Sequence, residues 1–218
     1  MREPVKGKTE AGRRREERAR DRRQRVLDAA SRLFLERGYV ATTVEAIARE
    51  AAVAPATVYQ AFGTKQAVLA RILDTTIAGD TGPAALLERD WVKEAAKHPD
   101  PRQRLALVIK RTARVAARTA PIKEVMRDAA AADPAVRQLL DQDDQRRYTT
   151  QQALVDLVIG ESSLRAGCDR ERAVATFFAL VNSNCYQLLA RQLGWSPARW
   201  QQWLTGVLDH ELFGAGET

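Results

Sequence analysis

The sequence has little of what marks secreted, metal-dependent or membrane-spanning chains. Two cysteines in 218 residues, Cys168 and Cys185, cannot build a disulfide framework. A reducing compartment is therefore expected. The two histidines, His98 and His210, show no His-Glu-x-x-His spacing, and neither a metal site nor a cofactor is expected. Gly7-Lys8-Thr9 has the ending of a phosphate-binding loop, but Arg2 stands where its first glycine would be. There is no Gly-x-Gly-x-x-Gly, so no enzyme activity is expected. No apolar run approaches the ~20 residues of a membrane span. The N-terminus has no apolar core of signal-peptide type. These absences lead to the expectation of a cytoplasmic chain with no membrane partner. Glycine and proline are sparse, at 12 and 8 residues. No segment alternates with period two between turn dipeptides, which argues against a β-sheet.

What is present favours helix. Apolar residues make up 45% and charged residues 29% of the chain, a globular balance. Alanine, which loses no side-chain entropy in a helix, is abundant. The net charge of +7 is unevenly spread. Residues 1–65 hold 15 Lys/Arg against 9 Asp/Glu, while residues 66–218 hold 20 against 19. The first third thus carries +6, a polyanion-binding balance. Arg13, Arg14, Arg15, Arg18, Arg20, Arg22, Arg23 and Arg25 crowd thirteen positions. They read either as a solvated, flexible arm or as a sequence-independent phosphate clamp.

Capping and stop signals divide the chain into about ten helices, at 22–37, 43–50, 54–62, 65–78, 83–97, 101–118, 121–131, 134–166, 169–193 and 196–213. Asp100-Pro101, Asp133-Pro134 and Ser196-Pro197 pair an N-cap acceptor with proline at the first helical position; Ala120-Pro121 is a weaker example. Gly38, Gly79, Gly167 and Gly194 suit left-handed C-caps. The expected organisation is all-α. A basic, flexible arm occupies 1–21, a small helical domain with its linking helix 22–78, and a larger C-terminal helical bundle 79–218.

The segment from Gly38 to Lys65 carries the function. Thr42 with Glu45 three residues later fits a capping box, opening a short helix with Val44, Ile47 and Ala48 on its buried face. After a turn near Ala51–Val53, Pro55 begins a second short helix that ends near Phe62-Gly63. Two short helices after a longer one form a helix-turn-helix, at about 43–62, whose second helix presents its N-terminal residues to the major groove. Val58 and Phe62 point inward, leaving Pro55, Ala56, Thr57, Tyr59, Gln60 and Ala61 exposed.

Residues 23–70 resemble the DNA-binding domain of the TetR family of bacterial transcriptional regulators. The likeness rests on Ala29-Ala30, Leu33-Phe34, Gly38-Tyr39, Ala41-Thr42-Thr43, Ile47-Ala48, Val53, Ala56-Thr57-Val58-Tyr59, Phe62, Lys65 and Leu69. It implies that Thr43 and Tyr59 bond phosphates, that Lys65 pairs with the DNA backbone, and that Pro55, Ala56, Thr57, Gln60 and Ala61 meet bases or methyl groups. Ala52 stands where a turn glycine is usual, and Ala54 where a capping serine is common. Gln60 is the one good bidentate base reader in the set, which leaves specificity to methyl contacts and DNA shape as well.

The C-terminal part has no motif of its own. Phe177, Val181 and Leu188, with Trp200, Trp203, Leu204 and Val207, form apolar stripes that suit either a core or a dimer interface. The resemblance favours a homodimer built through the last two helices. Trp91, Met126, Asn182 and Tyr186 are candidate contacts for a small-molecule effector or, equally, satisfied core residues. Arg111, Arg114 and Arg118 read as a solvated stripe, and Asp141–Gln152 as a solvent-facing stretch. The expected function is a homodimeric repressor released from a pseudo-palindromic double-stranded DNA operator by an unidentified effector. The alternative is an architectural, weakly sequence-specific DNA binder without an effector.

Overall fold

The computed structural model describes residues 10–79, 89–162 and 164–214. The chain forms two compact units, Met1–Ile72 and Leu73–Thr218. The division falls within the helix Lys65–Ala78. Every regular element among the described residues is an α-helix.

The first unit holds α1 (Glu10–Arg37), α2 (Val44–Glu50), α3 (Pro55–Phe62) and the first turns of α4 (Lys65–Ala78). Its core gathers Val26, Ala30, Leu33 and Phe34 of α1 with Ile47, Ala48, Val58, Val68 and Leu69. The Tyr39 ring meets Phe34 at 5.5 Å. Helix α1 starts well before the expected residue 22, and its first buried residue is Val26. Strong helix formers fill residues 13–25, and Glu10 pairs with Arg14 one turn on at 2.6 Å. Residues 10–21 of the expected flexible arm are therefore helical; residues 1–9 lie outside the described residues.

The second unit adds α5 (Asp90–Ala96), α6 (Pro101–Ala130), α7 (Pro134–Ile159), α8 (Arg170–Leu180), α9 (Ser183–Leu193) and α10 (Pro197–Phe213). Helix α6 packs against α5, α7, α9 and α10. Trp200, Leu204, Leu208, Phe177, Leu105, Ile109 and Leu154 fill the core. The caps at Asp100, Asp133 and Ser196 form as expected, each side chain accepting a backbone N–H of the first turn. The expected start at 83 falls outside the described residues, and α5 is described from Asp90.

Three helix boundaries differ from expectation. Helices expected at 101–118 and 121–131 are one, with Pro121 inside it. Proline removes a single intrahelical bond and crowds the preceding turn. Here Ala120, Ile122 and Met126 are buried on both sides of it, and that burial offsets the loss. The helix expected to run to 166 stops at Gly160, whose φ of 54° is left-handed. The helix expected at 169–193 breaks at Val181-Asn182 into α8 and α9, bent by 46°. Asn182 takes extended geometry there and accepts the Cys185 N–H as N-cap.

Candidate nucleic-acid interface and bundle cleft

The first-unit site is built from the loop between α1 and α2. Thr42 is buried, and its hydroxyl donates to the Gly38 carbonyl at 2.8 Å. The capping position is therefore Thr43, one residue later than the expected box, and its Oγ1 accepts the Ala46 N–H at 3.1 Å. Thr43 is exposed, and because the cap bond uses its oxygen as acceptor, its hydroxyl keeps a proton to donate, which suits a phosphate oxygen. Lys65, expected on the DNA backbone, is half-buried and turned inward. Its ammonium donates to the carbonyls of Tyr39 at 2.9 Å and Thr42 at 2.8 Å. It also lies 4.1 Å from the centre of the Tyr39 ring. In the structure Lys65 ties the start of α4 to the loop that presents Thr43.

The turn confirms both departures read from the sequence. Ala52 has φ 52°, the only non-glycine residue with positive φ among those described. Ala54 is the N-cap of α3 and makes no side-chain cap bond. Gly63 ends α3 with φ 79°. Val58 is buried, which turns Pro55, Ala56, Tyr59 and Gln60 outward as exposed residues; Thr57 and Ala61 are half-buried beside them. Tyr59 is 49% exposed, a large aromatic left in water with its phenol available.

In the second unit, the expected dimer residues separate into two groups. Phe177, Val181, Trp200 and Leu204 belong to the core of the unit itself. Leu188 is 52% exposed, and Leu193 59%; Trp203 and Val207 are half-buried. Of the expected effector contacts, Met126 is fully buried. Tyr186 packs edge-on to Trp200 at 5.1 Å, and Trp91 packs against the core. Asn182 alone of the four lines an open cleft of ~250 Å³ between α6, α7 and the α8–α9 break.

That cleft has cationic walls. Arg147 lies over the Phe178 ring at 3.7 Å and donates to the Phe178 carbonyl at 3.0 Å. Arg127 donates to Asn184 and Gln187. Burial lowers the affinity of both guanidinium groups for their protons, against the opposing pull of Glu124 on Arg127 and Asp144 on Arg147. Beside them Lys123 pairs with buried Asp143 at 2.5 Å. Asp143 and Gln151, both 4% exposed, are the buried exceptions in a 141–152 stretch that otherwise mostly faces solvent as expected.

Other organising residues were missed. Arg118, read as part of a solvated stripe, donates to the Thr76 and Ile77 carbonyls at the end of α4. Buried Arg104 does the same for the end of α7, donating to Val158, Ile159, His98 and Pro99 carbonyls. Each guanidinium sits against a left-handed glycine. A Cβ at Gly79 would fall 2.8 Å from Arg118, and one at Gly160 3.1 Å from Arg104. The glycine stop at Gly79 was legible, but its partner is about forty residues away, where no local pattern points.

Comparison with known proteins adds three findings. Residues 26–72 match the bacterial regulatory proteins of the tetR family. The HTH-type transcriptional regulator HbdR of Aromatoleum sp. (strain CIB) is 44% identical over 59 residues, 25% of this chain and 26% of that protein. The chain thus spans about a quarter of that relative's length. Two solved structures share the fold along most of the chain. NalD of Pseudomonas aeruginosa, the secondary repressor of the MexAB-OprM multidrug efflux pump, has a TM-score of 0.71 at 19% identity, covering 90% of this chain and 98% of NalD. The transcriptional regulator FadR of Bacillus subtilis, in complex with stearoyl-CoA, has a TM-score of 0.64 at 18% identity, covering 88% and 98%.

Proposed function

We propose, for a chain whose residues 26–72 match the bacterial regulatory proteins of the tetR family, that it is a homodimeric transcriptional repressor of that family, released from a pseudo-palindromic operator by a small molecule. The observation that carries this reading is the outward face of α3. Tyr59, Gln60, Pro55 and Ala56 are exposed on a helix anchored by Val58 and delivered by a built turn. Tyr59 and Thr43 bond phosphates and set the register; Gln60 reads a base edge; Pro55, Ala56, Thr57 and Ala61 contribute apolar contacts. Lys65 acts by holding the Thr42–Thr43 loop in place.

Two copies of the domain reading half-sites about one DNA turn apart need a two-fold axis. Leu188, Trp203 and Val207 are the members of the expected interface that reach the surface, with Phe177, Val181, Trp200 and Leu204 supporting them from beneath. The effector reading is supported by the cleft at Asn182 and by a like-folded regulator that holds stearoyl-CoA. Release requires that the effector bind the DNA-free arrangement more tightly than the DNA-bound one.

The test is selection from random duplex DNA with the full chain at physiological salt. An enriched inverted repeat is expected; binding without enrichment would overturn the repressor reading in favour of an architectural DNA binder. On the selected duplex, Gln60→Ala should relax preference at one position by about tenfold. Tyr59→Phe should weaken binding to all duplexes by about three- to tenfold, the loss of one phosphate bond.

A further inference from the structure

The N-terminal overhang of α1 is unabsorbed by the helix-turn-helix reading. Residues 10–25 are helical yet bury no side chain. At 1.5 Å per residue this overhang is about 24 Å long. It carries eight arginines against four carboxylates, Glu10, Glu16, Glu17 and Asp21. At about 100° per residue, Arg14, Arg15, Arg18, Arg22 and Arg25 fall within roughly 100° of arc. Glu10, Glu17 and Asp21 fall together on the flank beside them. The residues buried further along α1, Val26, Leu27, Ala29, Ala30, Leu33 and Phe34, occupy a neighbouring arc centred about 90° from the stripe. The stripe therefore runs along one edge of the buried side, with all five of its arginines exposed.

The overhang continues a helix, α1, that belongs to the same compact unit as α3. Near its C-terminal end, the Leu33 and Gly38 carbonyls accept the Thr42 hydroxyl at the start of α2. One residue earlier, Arg32 pairs with Glu50 at the other end of α2, at 2.9 Å. Contacts to both ends of α2 thus fix α1 to the helix-turn-helix, and the overhang extends from the body that presents α3. The geometry points to a second DNA-contacting element: we propose that the arginine stripe of residues 14–25 lies along the phosphate backbone flanking the half-site read by α3.

Chemistry selects among polyanions. The only apolar side chains in residues 10–25 are Ala11 and Ala19, so the overhang has no apolar face to enter a lipid interface or a coiled coil. Double-stranded DNA presents phosphates along a length that a straight helix of this reach can follow, and recognition by charge alone adds affinity without sequence preference.

The inference concerns the same DNA-bound state as the helix-turn-helix reading but rests on separate residues, and the two can fail separately. The experiment compares the full chain with a variant carrying Arg14, Arg15, Arg18, Arg22 and Arg25→Gln. A control carries Arg13, Arg20 and Arg23→Gln, on the other faces. Glutamine keeps helix propensity, and circular dichroism checks that both variants are folded. Affinity for the selected duplex, for random duplex and for a duplex trimmed of its flanks is measured from 50 to 300 mM salt.

The five-residue variant should lose about 100-fold on both untrimmed duplexes. Its slope of log affinity against log salt should flatten by about 0.9 for each phosphate contact removed. Its ratio of selected to random binding should be unchanged. Trimming the flanks should weaken the unmodified chain and hardly affect the variant, and the control should keep the steeper slope. An unchanged slope in the five-residue variant, an equal flattening in the control, or insensitivity of the unmodified chain to trimming would overturn the proposal and leave the repressor reading standing. Stripe-dependent binding with no enriched sequence would do the reverse. Preferential binding to anionic vesicles over duplex DNA would also overturn it.

Discussion

At the scale of single residues, the turn between α2 and α3 holds a local conflict. Ala52 is forced to φ 52°, where an L side chain crowds its own backbone at roughly 1–2 kcal/mol. Ala54 leaves the N–H groups opening α3 without a side-chain acceptor. Ala52→Gly should therefore stabilise the chain by about 0.5–1 kcal/mol, the relief of strain less the extra entropy of an unfolded glycine. Ala54→Ser should add about 1 kcal/mol. Both should appear as a higher urea midpoint of the first unit with an unchanged slope. The charged residues near the chain's end make a second case. Glu211 accepts from Arg172 at 2.6 Å and from Arg165 at 2.7 Å. The Arg172 bond, then the Arg165 bond, holds its carboxyl below the usual carboxylate range. A depressed folded-state value means that the stabilisation is complete above the unfolded-state value and disappears as pH falls through the folded one. Glu211→Gln should lower the urea midpoint at pH 7, and the gap from the parent chain should close below about pH 4.

At the scale of elements, the break between α8 and α9 is made by side chains from another helix. Gln151 of α7 donates to the Val181 carbonyl at 2.7 Å, and Arg147 to that of Phe178. Asn182 donates back to Ala179 at 2.6 Å while capping α9. Gln151→Leu removes the partner of a buried carbonyl and should destabilise by about 1–3 kcal/mol. The cap alone is worth about 1 kcal/mol, so Asn182→Ala should be milder. Chemical denaturation of the two variants decides this: if Asn182→Ala is the more damaging, the break is held by its own cap rather than by α7. A local reading of 169–193 sees one long apolar stripe because the donors that stabilise the break, Gln151 and Arg147, lie some thirty residues upstream. The merging of two expected helices through Pro121 has the same origin, since burial on both sides outweighs a local stop signal.

At the scale of the whole molecule, the exposed apolar residues of α9 are the feature that a single chain leaves unexplained. Leu188 and Leu193 are more than half exposed, while Trp203 is half-buried against Trp195, their rings 5.7 Å apart. In the proposed dimer these residues meet their copies. Leu188→Arg would bring like charges together across the axis. Sedimentation should show a monomer with unchanged helical content, and binding to an inverted repeat should fall to the level of a single half-site. A dimer that survives Leu188→Arg would place the interface elsewhere.

Spacings of three or four residues are enough to specify the all-helical class and the helix-turn-helix, and the family resemblance marked Ala52 as a departure whose positive φ only the structure supplied. The sequence also carried the charge asymmetry that gives α1 its arginine stripe. The tertiary structure alone decided that Lys65 ties a loop, that Arg104 and Arg118 cap the ends of other helices, and that Asp143 pairs with Lys123 out of water. It also decided which members of the late apolar stripes form core and which reach the surface. These outcomes depend on which distant carbonyl or carboxylate comes within about 3 Å of a long side chain, a distance that exists only once the helices have packed.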